Sequence, residues 1–288
     1  MRDNRRQRRR GEIYGRSSMI DIQSYKENGY LLLKGFFDHG EIDRVRDGAK
    51  RIFISQMQRC GLVHSADLSE RQFEQGMFDL FGADLQAFTN CGKHAQHLIA
   101  LHRLSLDDRI VAVLTQLGLQ LLNISTRPVM YFNSPRLAKK EVYNRLSQHQ
   151  DWRSMQGSLD SMVVWVPLVD IDKALGALEI VPGSHRRGLF TADMADGYGH
   201  IAESIDPATF VPIEVEKGDA LFFSTFLVHR SGTNVTNCVR WSSHFRYNNL
   251  EERTFVERGL PHPYIYKPIE ELITPGFPTA EQVEDVFR

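Results

Sequence analysis

The sequence predicts a mainly β protein with flanking helices, and three observations lead there. Apolar residues keep helical spacing over much of 20–118. After Gly118 the texture turns to short runs of apolar and β-branched residues broken by turn residues. Those runs recur at the spacing of a sandwich or barrel. Composition agrees, because 42% hydrophobic and 25% charged residues in a chain of 288 can bury a sizeable core. A disordered or fibrous chain is thereby excluded for most of the length.

The elements follow in order. Tyr30-Leu31-Leu32-Leu33 lies between Gly29 and Gly35 and reads as a short buried strand. Asp38 with Glu41 gives a capping-box start, and Ile42, Val45, Ala49, Ile52, Phe53 and Met57 then repeat at helical spacing to Gly61. Ser105 and Asp108 give the same signal ahead of Ile110, Val113, Leu114 and Leu117, with Gly118 as the stop. Two further segments in 70–101 are expected to be helical. Beyond Gly118, Leu121–Phe132 is apolar and β-branched, and Ser161–Leu168 is a continuous apolar run suited to a strand covered on both faces. Leu178–Val181 ends at Pro182-Gly183, the Gly218-Asp219 turn feeds a strand over 220–228, and Cys238–Tyr247 alternates. The stretch 186–209 has little pattern and is long for a connection, which makes it a candidate lid.

No apolar run approaches the ~20 residues that span a bilayer, and no secretory apolar segment follows the N-terminus. Cys60, Cys91 and Cys238 lack CxxC spacing, so neither a disulfide framework nor a zinc ribbon is expected. A cytoplasmic protein without membrane partners is expected. The net charge of −1 is uneven: seven arginines against Asp3 and Glu12 give the first 16 residues +5 and leave −6 for the rest. Residues 1–19 read as a disordered basic tail ahead of one domain over 20–288, and nucleic acid is not the expected partner.

His149 and Asp151, in Gln148-His149-Gln150-Asp151, and His229 are candidate metal ligands. Residues i and i+2 of a strand share a face, so the first two can meet one ion. A second imidazole completes a two-histidine, one-carboxylate face that leaves three octahedral positions open, a geometry suited to non-heme Fe(II) oxygenases. A His-x-acid pair alone says little, since about one is expected by chance among 11 histidines. His39-Gly40-Glu41 is such a match, explained by the capping box. The stronger signal is Arg240, on a strand carrying Arg240, Ser242, His244 and Arg246 on one face and Val239, Trp241, Phe245 and Tyr247 on the other. The polar row faces either solvent or a polar interior. In the interior, Arg240 would grip a carboxylate with its two-bond fork and Ser242 would add a hydroxyl.

Gln148–Asp151, Gly176–His185, Gly218-Asp219, His229–Asn234 and Arg240, in that order, resemble the phytanoyl-CoA dioxygenase-like branch of the Fe(II)/2-oxoglutarate oxygenases. Glu27–Phe36 is similar to that family's opening, and the resemblance covers about 22–250. It implies a double-stranded β-helix (jelly-roll) core flanked by helices. It also implies Fe(II) on His149, Asp151 and His229, with 2-oxoglutarate and O2 as cosubstrates. Arg240 would hold the distal carboxylate of 2-oxoglutarate, with Ser242, Ser231 and Tyr131 as further cosubstrate residues. The implied reaction is hydroxylation of an aliphatic C–H bond of a small molecule, because Asp151 stands where related halogenases carry a small residue. His185 is expected only to order its turn, and Cys238 only to fill space. Tyr143, Asn144, Arg145, Gln148, Gln150, Arg153, Gln156, Arg186 and Arg187 suit a polar or anionic substrate. Two other classes share part of the pattern. A cupin-like metalloenzyme with non-oxidative chemistry leaves Arg240 without a task, and a non-catalytic binding protein would be expected to have lost a ligand.

Overall fold

Apolar residues three and four apart give the N-terminal part its helices, and polar side chains start most of them by accepting otherwise unpaired amides. The computed structural model describes residues 20–138, 146–193 and 199–262, so the basic tail lies outside the described residues. Helix α1 (Ile22–Asn28) is capped by Asp21 and leads through Gly29 into strand β1 (Tyr30–Leu33), which is half-buried. Helix α2 (His39–Arg59) opens with the expected capping box, the Asp38 amide donating to Glu41 at 2.9 Å. Helices α3 (Glu70–Ala83), α4 (Leu85–Ala95), α5 (Ile99–Ser105) and α6 (Asp108–Gln116) follow. The start of α6 differs from the expectation. Asp107, accepting from the Arg109 amide, is its cap, whereas Ser105 ends α5 with its hydroxyl on the His102 carbonyl.

The strands form two principal sheets. Strands β2 (Leu122–Ile124), β3 (Val129–Asn133) and β4 (Met162–Pro167) precede and follow the short helix α7 (Trp152–Met155). Then come β5 (Leu178–Ile180), the two-residue strands β6 (Ala192–Asp193) and β7 (His200–Ile201), and β8 (Val211–Ile213). Strands β9 (Ala220–Ser224), β10 (His229–Ser231) and β11 (Arg240–Asn249) complete the sheets, followed by helix α8 (Arg253–Glu257). The larger, antiparallel sheet runs β1-β9-β4-β11, with β2 and β3 sharing the outer edge of β11 end to end. The smaller one runs β10-β5-β8.

Why β4 reads as an unbroken apolar run is now evident. Its alternate residues enter two different cores. Val164 and Val166 face the helices together with Phe53, Phe88, Phe132 and Trp241. Val163 and Trp165 pack with Leu221 and Phe223 of β9 against Leu178, Ile180 and Ile213 of the smaller sheet. Two stacked antiparallel sheets of this kind, with helices covering one outer face, make the jelly roll expected from the sequence. Among the described residues, no helix is long and apolar enough to cross a membrane.

Candidate active site

His149 and His229 lie opposite one another in an antiparallel bridge. Each backbone amide donates to the other's carbonyl, at 3.0 and 3.2 Å. Their rings therefore emerge side by side, with centroids 4.2 Å apart. His229 opens β10, because the expected strand over 220–228 breaks after Ser224. There a turn, closed by the Leu227 amide on the Ser224 carbonyl, carries the chain into the smaller sheet. Asp151 also arrives by another route than the expected strand alternation. It sits at the start of α7 with helical dihedrals (φ −63°, ψ −27°), and its carboxylate turns back to the histidines.

The ligating atoms of His149, Asp151 and His229 all lie within 4.8 Å of one another. Each histidine is fixed in one tautomer: Nδ1–H donates to a backbone carbonyl, Ser147 at 2.7 Å for His149 and Leu227 at 3.0 Å for His229. That leaves each Nε2 with its lone pair for a metal. Burial pushes the His229 pKa down to about 4, with His149 beside it acting in the same direction, so the ring is neutral at physiological pH. Burial alone would raise the Asp151 carboxyl, but Arg246, donating to Oδ1 at 2.8 Å, and the neighbouring histidines hold it well below the usual carboxylate range. Its other oxygen, Oδ2, stands 3.8 Å from His229 Nε2. Two imidazoles and one carboxylate form a donor set that suits a divalent ion.

The polar row of β11 faces this cluster and not solvent. Arg240, Ser242, His244 and Arg246 line one cavity with Tyr131, Ser231, His149, Asp151 and His229. The structure thus brings all seven candidate residues from the sequence together. Tyr131 pairs with Ser242 in register, and its ring centroid is 5.7 Å from the Arg240 guanidinium. The Ser231 hydroxyl accepts from the Leu146 amide at 3.3 Å. Arg240 is 2% exposed, donates through Nη1 to the Gly176 carbonyl, and has no carboxylate partner among the described residues. Its Nε is buried without a hydrogen-bond partner, and burial lowers its pKa to about 10. Gly176 has φ +88°, and a Cβ there would meet the Asn234 amide and the Gly232 carbonyl at 2.9 Å, so glycine is needed beside Arg240. The sequence places His244 and Arg246 on the row but assigns them no role. The period-2 pattern was the available signal. It also missed the apolar wall of Leu146, Trp165, Leu178 and Phe223.

Other motif residues build the scaffold. In the Pro-Gly-Ser-His turn, Ser184 Oγ accepts the Val228 amide at 2.9 Å, next to His229. His185, within 3.2 Å of the Lys26 carbonyl through Nε2, packs beneath Gly29 and ties the turn to α1. Cys238 corrects its expectation: it is exposed, and its backbone carbonyl accepts from Asn234. Several polar residues read as suiting a substrate are engaged elsewhere. Gln150 bonds Gly188 O, Phe226 O and Phe190 N, Gln148 bonds Ile201 O and Glu203 O, and Arg153 bonds Phe190 O. These contacts clamp the described parts of the 186–209 stretch onto the ligand-bearing loop. Tyr143, Asn144 and Arg145 lie outside the described residues.

With this geometry in view, residues 25–242 match the family described as Phytanoyl-CoA dioxygenase (PhyH). The peroxisomal phytanoyl-CoA dioxygenase of Rattus norvegicus is 24% identical over 282 residues, covering 94% of this chain and 80% of its own length. Phytanoyl-CoA dioxygenase domain-containing protein 1 of Danio rerio is 26% identical, with 85% and 97% covered. Among solved structures, the epimerase SnoN, crystallised with Fe3+, alpha ketoglutarate and nogalamycin RO, superposes with a TM-score of 0.50 at 20% identity, covering 79% of this chain and 82% of that one. The apo form of the non-heme monooxygenase ThoJ gives 0.50 at 18%, with 80% and 77% covered.

Proposed function

Because the chain belongs to the phytanoyl-CoA dioxygenase (PhyH) family, we propose that it is an Fe(II)- and 2-oxoglutarate-dependent dioxygenase hydroxylating an aliphatic C–H bond of a small polar or anionic molecule. The observation that carries this reading is Arg240. A buried guanidinium is costly unless an anion meets it, and no described carboxylate does. Its cavity is the one that His149, Asp151 and His229 line. A dianion with one carboxylate on Arg240 and the other toward the metal ligands supplies both missing charges, and 2-oxoglutarate is such a dianion. SnoN, crystallised with Fe3+ and alpha ketoglutarate, supports the choice of metal and cosubstrate.

Metal would be held by Nε2 of both histidines and by Asp151, and Arg240 would hold the distal carboxylate through its fork. Ser242, Ser231 and Tyr131 line the space beside that carboxylate. When bound, Fe(II) allows 2-oxoglutarate and O2 to yield succinate and CO2 while the second oxygen atom enters the substrate C–H bond. Trp165, Leu178 and Phe223 wall one part of the cavity with apolar surface. The backbone carbonyls on both Nδ1 atoms keep the imidazoles oriented through the reaction. His244, on the same interior face, offers a neutral hydrogen-bonding group to a polar substrate.

The test is succinate formation from 2-oxoglutarate with Fe(II) and O2, measured across a panel of small polar and carboxylated compounds. Release that needs the metal and rises with one compound supports the reading. A protein that binds metal but releases no succinate under any condition belongs instead with the non-oxidative metalloenzymes.

A further inference from the structure

We infer that Arg246 is a positioning residue that confines Asp151 to a single oxygen toward the metal and so keeps open the coordination position that O2 requires. The inference rests on the proposed function for the purpose of that position, and on geometry alone for the confinement. Among the described residues, Asp151 is the only carboxylate in the ligand set, and its two oxygens point to different partners. Oδ1 accepts from Arg246 Nη2 at 2.8 Å, whereas Oδ2 stands 3.8 Å from His229 Nε2, on the side where the ligand atoms converge.

The pair is well placed to be rigid. The side chains of Arg246 and Asp151 are 11% and 6% exposed. Arg246 belongs to β11, paired with Val163 of β4 on one edge, and its carbonyl accepts the Ser125 amide at 2.9 Å on the other. Asp151 is held from its own side by α7, where the Ser154 and Met155 amides return to its carbonyl. A charge-assisted bond between two such anchored groups is strong and directional. It occupies the oxygen that would otherwise be free to join the metal.

The count of positions shows why this matters. Two histidines and one carboxylate oxygen leave three of six octahedral positions. A cosubstrate that chelates through two atoms leaves one for O2. If Asp151 bound through both oxygens, that last position would be gone. A merely structural ion pair would have no such effect, and its loss would lower metal affinity by the ~10–100-fold typical of outer-shell partners.

The experiment loads the full chain with Mn(II) as the probe and counts bound water from the broadening of its spin-resonance signal in 17O-enriched water. The wild type should hold three waters alone and one with 2-oxoglutarate bound. Arg246→Gln should hold two and none, with Mn(II) affinity within ~3-fold of wild type or tighter, in contrast to an outer-shell loss. Arg246→Lys, which keeps a cation on Oδ1, should restore the wild-type counts. Two waters in the wild type would overturn the inference without any variant, even if Arg246→Gln failed to fold. So would an Arg246→Gln protein that keeps three waters, or one that loses metal affinity ~10-fold or more. A wild type with three waters that takes no 2-oxoglutarate would contradict the proposed function and leave the confinement of Asp151 upheld.

Discussion

Trp241, Phe245 and Tyr247 leave β11 on the side of the helices, while Arg240, Ser242, His244 and Arg246 leave the same strand on the side of the metal-ligand cluster. The two faces share one backbone and one set of hydrogen-bonded neighbours. They differ in what covers them. The outer face meets an aromatic cluster in which Trp241 lies 4.5 Å from Phe132, 6.2 Å from Phe53 and 6.0 Å from Phe73, centroid to centroid. Among the described residues, the inner face carries the guanidiniums of Arg240 and Arg246 and the carboxylate of Asp151. Stability comes from the first face, and the second holds charges that water would solvate better. One strand thus separates folding from function at a spacing of one residue.

That separation can be broken one face at a time. Trp241→Ala should cost roughly 3–5 kcal/mol in urea unfolding of the metal-free protein, with metal affinity of the folded fraction unchanged. A comparable fall in metal affinity would show that the faces are coupled. His149→Ala or His229→Ala should do the reverse, lowering affinity for Fe(II) by at least ~100-fold, about 2.7 kcal/mol, in anaerobic titration. Their melting temperatures without metal should stay near wild type. Unchanged Fe(II) affinity in both variants would remove the ligand assignment.

A smaller effect is set by pH. The His229 pKa lies at about 4 in the fold, below its ordinary 6.5. On acidification the unfolded chain therefore takes up the proton first, and stability falls as pH drops from 6.5 toward 4. Between pH 6.5 and 5 the metal-free protein should lose about 2 kcal/mol through this group, and His229→Gln should flatten the slope. The depressed Asp151 carboxyl acts in the same direction, but only below its ordinary 3.8. The smallest expected effect is that of the basic tail. A chain beginning at Met19 should match the full chain in melting temperature and in succinate release. Lost turnover with the fold and metal intact would place the tail in substrate recognition.

Much of this was legible in the sequence because the two core faces impose period-2 patterns. The unbroken run in β4 declares a strand between two apolar layers, and the split of β11 declares one apolar and one polar neighbour. What covered the polar row was not legible, since an interior row and a solvent-facing row are written alike. Local geometry was also hidden where apolar residues serve turns: Phe226, Leu227 and Val228 continue the pattern of β9 through the break before His229. The spacing of Asp151 from His149 permits a strand, whereas the bonds of Gln150 to Gly188, Phe190 and Phe226 help turn the chain there. The same bonds explain why polar residues near the ligands looked like substrate contacts. Their partners are backbone groups distant in sequence, which no local pattern reveals.

The most direct test of the account is an anaerobic titration of 2-oxoglutarate into the Fe(II)-loaded protein, wild type against Arg240→Lys. One 2-oxoglutarate per chain should bind, and only when metal is present. Its affinity should be at least ~10-fold weaker in Arg240→Lys, about 1.4 kcal/mol, because a point ammonium cannot replace the fork. Fe(II) binding should be the same in both proteins. Equal affinity for 2-oxoglutarate in the two would contradict it, and would mean that the buried guanidinium serves some other anion.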